Sequence, residues 1–62
     1  MKVTIRRELR LHIGLWYILI NKEVDSSFFY RDEADKRVNE IKSEYEALGY
    51  TVELPEKTKF TF

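Results

Sequence analysis

Lys2, Arg6, Arg7 and Arg10 fall within the first ten residues, and His12 and Trp16 follow closely. Cations at this density beside an aromatic ring could contact phosphates while the ring stacks on a base, so Lys2, Arg6, Arg7, Arg10 and His12 form a candidate nucleic-acid face. A plainer reading, and the preferred one, makes them the solvated parity of an amphipathic strand, with Glu8 interrupting the cations. Other chemistries have less support. No motif places a nucleophile or an orienting carboxylate for His12, which leaves general acid–base catalysis without a partner. Asp32, Glu33 and Asp35 read as cap and dipole residues of a helix start, because Arg31, Lys36 and Arg37 stand where a hard cation would need converging oxygens. One histidine and no cysteine exclude a zinc centre, and two glycines, Gly14 and Gly49, cannot build a glycine-rich phosphate loop. No catalytic residue, metal or cofactor is expected, and the chain reads as non-enzymatic.

Sixty-two residues make a single domain, 1–62, with eleven basic and eleven acidic side chains. A chain this short buries only about 60% of the surface it exposes when unfolded, so its stability should be marginal, and without disulfides a partner subunit is the remaining support. Zero net charge argues against a general polyanion binder, but residues 1–22 carry +4 and residues 23–62 carry −4. The longest apolar run, residues 15–20, is far short of the roughly 20 needed to span a bilayer. No signal peptide is evident, and the expectation is a soluble cytoplasmic chain with no membrane partner and no small-molecule substrate.

Residues 2–11 alternate, with Val3, Ile5, Leu9 and Leu11 on one parity and Lys2, Thr4, Arg6, Glu8 and Arg10 on the other, the pattern of a half-buried strand. Gly14 permits a turn, and residues 15–21 are a β-branched and aromatic run that reads as a second strand. The polar stretch NKEVDSS would turn the chain before a short third strand of Phe28, Phe29 and Tyr30. Ala34, Val38, Ile41, Tyr45 and Leu48 then recur at helical spacing, which predicts an amphipathic helix over 33–48 with Asp32 as N-cap and Gly49 at the left-handed C′ position. Glu33 with Arg37 and Lys42 with Glu46 should pair along it. Tyr50, Val52 and Leu54 form a strand, residues 55–59 a loop, and residues 60–62 a last strand that would set Phe60 beside Leu54 and Phe62 beside Val52. The predicted fold is α+β: a small antiparallel sheet in the order β-β-(β)-α-β-β with one helix on one face.

The second strand carries large apolar residues on both parities, so one side faces away from the only helix. A turn of Ile13 and Gly14 alone would put Trp16 and Ile18 on the face of Leu9 and Leu11, whereas a His12-Ile13-Gly14 loop would put Leu15 and Tyr17 there. The three-residue loop is preferred, because β-branched Ile13 resists the positive φ of a two-residue turn. On that reading Trp16, Ile18 and Ile20 lie opposite the helix and, with Phe29, make the candidate partner-binding set. Three strands followed by a helix, with Trp16 on a strand, an aromatic short strand and an acidic helix start, resembles the layout of arm-type DNA-binding domains in some phage and transposon integrases. The likeness is one of layout, and no residue role is carried over from it. The expected function is a small protein-interaction or regulatory module of the bacterial or phage accessory type, acting as a homodimer or on a protein partner. A DNA- or RNA-binding module using the basic hairpin is the alternative.

Overall fold

The computed structural model describes residues 1–55 and 59–61. Its elements run β1 (Lys2–Arg10), β2 (Leu15–Ile20), β3 (Glu23–Phe28), α1 (Arg31–Ala47), β4 (Thr51–Glu53) and β5 (Lys59–Thr61). The α+β class and the element order are as the sequence predicts. Strands β3, β2 and β1 form an antiparallel meander, while β4 and β5 both run parallel to β1 on its outer edge, β4 beside residues 2–4 and β5 beside residues 8–10. The sheet is therefore mixed, and Phe60 lies beside Leu9, not beside Leu54. The expected contact of Phe62 falls outside the described residues. The helix explains the parallel pairing: it carries the chain back across the sheet from the end of β3, so the strand that follows must run in the direction of β3 and hence of β1.

The preferred hairpin register is corrected. The first turn is a four-residue loop, 11–14, closed by the Gly14 N–H on the Arg10 carbonyl at 2.8 Å, with Gly14 at φ 67°. The register pairs Ile5 with Ile20, Arg7 with Ile18 and Leu9 with Trp16. One residue more than the preferred loop exchanges the two faces, so Trp16, Ile18 and Ile20 point toward the helix. Ile18 is 0% exposed and belongs to the core with Val3, Ile5, Ala34, Val38 and Ile41, and Trp16 and Ile20 pack against that core half-buried. The side chains left on the open face of β2 are Leu15, Tyr17 and Leu19.

Strand β3 begins at Glu23, earlier than the polar stretch suggests, because the turn takes only Asn21 and Lys22. Both have positive φ, 50° and 74°, the signature of a two-residue type I′ turn. Asn21 also holds β1: its Oδ1 accepts from the Thr4 N–H at 3.0 Å, and its N–H donates to the Thr4 carbonyl at 2.9 Å. A bulge opposite Ile18 and Leu19 absorbs Asp25. The Asp25 carboxylate thereby reaches the Arg37 guanidinium of the helix at 3.1 Å, and this bond is the chief reason its pKa lies below the ordinary carboxylate value. Phe29 and Tyr30 fall beyond the strand.

Helix α1 starts two residues earlier than Asp32 would allow, since the Ala34 N–H already bonds the Tyr30 carbonyl at 3.3 Å. Tyr30 is the N-cap, with no side-chain cap, and Asp32 joins Glu33 inside the first turn, where negative charge suits the dipole. At the other end the Tyr50 N–H reaches the Tyr45 carbonyl and the Gly49 N–H the Glu46 carbonyl, each at 3.0 Å, with Gly49 at φ 91°. This is a Schellman motif, and the Tyr45 and Tyr50 rings meet edge to face at 5.3 Å across it. Leu48 is not on the buried stripe: it is 73% exposed at the C-cap. Lys42 lies 3.9 Å from Glu46, whereas Arg37 turns from Glu33 to Asp25 and Glu40.

Candidate protein-binding surface

The alternation of β1 separates its cations. Arg7 is on the helix side, where its guanidinium bonds Asp35 of α1. Arg10 is on the open face, its Nε 2.8 Å from Glu8 Oε2 and its guanidinium 4.1 Å from the centroid of the Tyr17 ring. Glu8 is only 8% exposed, so Arg10 and Tyr17 together shield a carboxylate that needs a partner. The same contact raises the Arg10 pKa above its ordinary value. Lys2 is engaged with Glu53 on β4 at 2.8 Å, and that bond raises its pKa. His12 is exposed in the first loop, and Arg6 is exposed on the open face with no ion pair among the described residues. The five candidate nucleic-acid residues do not make one continuous basic surface.

Much of the apolar exposure among the described residues gathers at the loop end of the sheet. Register aligns Phe60, Leu9, Trp16 and Phe28 in one row across β5, β1, β2 and β3. Just beyond that row the first loop presents Leu11 and Ile13, and the chain leaving β3 presents Phe29 and Tyr30. Phe29 is 74% exposed, Tyr30 69% and Phe60 61%. The Arg31 guanidinium lies over the Trp16 ring at 5.8 Å and marks the border with the helix start. Of the predicted partner-binding set, Trp16 and Phe29 both lie at this end, Ile20 lies toward the opposite end of β2, and Ile18 is buried beneath the helix. Sequence reading passed over Leu11 and Ile13, and of the exposed rings Phe29, Tyr30 and Phe60 it singled out Phe29 alone. Two apolar residues inside a turn were the available signal.

Among the described residues no group of three or more histidine, cysteine, aspartate or glutamate side chains could hold a metal ion, and no helix is long and apolar enough to cross a membrane. Compared with known protein families, curated proteins and solved structures, the chain matches none of them.

Proposed function

We propose that the protein is a small non-enzymatic interaction module of the cytoplasm, a regulatory or accessory factor that pairs with a second copy of itself through the loop end of its sheet. The carrying observation is the exposure of Phe29, Tyr30 and Phe60 beside Leu11 and Ile13 at one end of the molecule. An aromatic side chain offers about 150–250 Å² for burial, so three rings exposed by two thirds present roughly 300–500 Å², at or above the patch a monomer commonly shows. With Leu11, Ile13 and the half-buried Leu9, Trp16 and Phe28, the surface approaches the ~800 Å² per partner of a standard interface. A two-fold arrangement closes such an assembly, because the same patch serves both copies. The nucleic-acid reading has weaker support, since Lys2, Arg7 and Arg10 are each engaged by a carboxylate.

The test is sedimentation velocity from ~1 to ~100 μM, a range that brackets a modest dimer. The parent chain should pass from monomer to dimer, and Phe29→Ser with Tyr30→Ser should remain monomeric with an unchanged melting temperature. A parent that stays monomeric throughout, or a double variant that dimerises equally well, refutes the proposal.

A further inference from the structure

The turn between β2 and β3 holds a lysine where the backbone favours glycine. Lys22 has φ 74°, a conformation in which any Cβ is crowded, and the second place of a type I′ turn is normally given to glycine. Non-glycine residues in this region concentrate at sites where the side chain is used. Here the fold does not use it, since the turn is fixed by Asn21 and Thr4, and Lys22 has no ion pair or side-chain hydrogen bond among the described residues. Arg6 is in the same condition. The two cations line the same two adjoining hollows on the open face, one completed by Thr4 and Asn21, the other by Glu8 and Leu19.

We propose that Arg6 and Lys22 form a pincer for a compact phosphate-class dianion, with the Thr4 hydroxyl as a further donor. The planar Arg6 guanidinium can bind two oxygens in parallel, the Lys22 ammonium supplies a movable point charge, and two positive charges match the two negative charges of a phosphate monoester or inorganic phosphate. Compactness follows from the neighbours. On one side the next cation along the strand, Arg10, is bonded to Glu8, and on the other Lys2 is bonded to Glu53, so among the described residues no free cation of β1 extends the site for a long polyanion. The site lies on the open face, away from the loop end, and does not depend on dimerisation.

Titration with inorganic phosphate at constant ionic strength, followed by amide NMR shifts, tests the proposal, with chloride as control and O-phosphoserine as a monoester probe. Saturable shifts at Thr4, Arg6, Asn21 and Lys22 are expected for both phosphate probes, with Kd of ~1–10 mM. Lys22→Gly should weaken binding at least tenfold while raising the melting temperature, because glycine takes the positive φ without strain. Arg6→Gln should weaken it likewise with no gain in stability. Shifts reproduced by chloride, or binding unaffected by Lys22→Gly, overturn the site. A duplex oligonucleotide binding the same residues more tightly than phosphate, with an affinity that falls steeply with salt, overturns the compact ligand.

Discussion

Exchanging the two faces of β2 would exchange the consequences of truncating Ile18 and Leu19, and this makes the register measurable. Ile18 is 0% exposed between β1, β3 and the helix, whereas Leu19 is half-buried on the open face between Arg6 and Val24. Ile18→Ala removes three carbons, about 2.4 kcal/mol of transfer at ~0.8 kcal/mol each, and the cavity left beneath a rigid helix raises the loss toward the ~5 kcal/mol upper end for such substitutions. A chain of 62 residues has roughly 3–9 kcal/mol in total, at about 0.05–0.15 kcal/mol per residue. Ile18→Ala therefore takes away most or all of it. Ile18→Val keeps the measurement on scale, with a cost of about 0.5–1.5 kcal/mol and a fall in Tm of several degrees. Leu19→Ala should cost about 1 kcal/mol, because half of the side chain is already in water. Urea unfolding followed by Trp16 fluorescence and by far-ultraviolet circular dichroism gives each value, with an unchanged m-value showing that the transition is the same. Leu19→Ala destabilising more than Ile18→Ala would refute the register and the assignment of faces built on it.

Arg37→Met should destabilise by about 0.5–1 kcal/mol near neutral pH. Because Asp25 titrates lower in the folded chain than in the unfolded one, this difference should be full above the ordinary value of 3.8 and disappear as pH falls through the depressed folded value. A difference between Arg37→Met and its parent that persists unchanged to pH ~2 would contradict the Asp25 bond. Arg10→Met should lower Tm more than Arg6→Met, since only Arg10 serves a buried carboxylate, and Glu8→Gln in the same chain should restore part of the loss. Thermal unfolding of the four proteins checks this, and equal effects of the two arginine substitutions would contradict it.

The sequence is most legible where one physical signal acts alone. Ala34, Val38 and Ile41 mark the buried face of α1 because a helix with one partner needs one apolar stripe, and Gly49 marks its end because the left-handed C′ position favours glycine. The first hairpin is less legible, since β2 is apolar on both parities and its orientation depends on loop length alone; a change of one residue in that loop carries Ile18 from the core to the outside. Strand β3 was hidden by its composition, because Glu23, Asp25, Ser26 and Ser27 sit on an edge strand where polar residues are tolerated and charges discourage further pairing. The surface at the loop end depends on Phe60 meeting Leu9 and on Phe29 falling past the end of β3, relations between distant segments that periodicity does not carry. Lys22 has no composition signal at all. Only the preceding Asn21 hints at the turn that strains it.

The two-sided pairing of β1 also imposes an order on folding. Its inner edge meets β2 across a four-residue loop, but its outer edge waits for β4, whose Thr51 pairs with Lys2 at a separation of 49 residues. Closing the longer loop costs about 2 kcal/mol more in chain entropy than closing the hairpin, so the meander of β1, β2 and β3 can assemble before β4 and β5 are in place. During synthesis β1, made before the other described strands, is thus among the last of them to be completed. Its row of unsatisfied amides and carbonyls stays open until β4 and β5 have left the ribosome, and in that interval the nascent chain is most exposed to strand exchange with its neighbours.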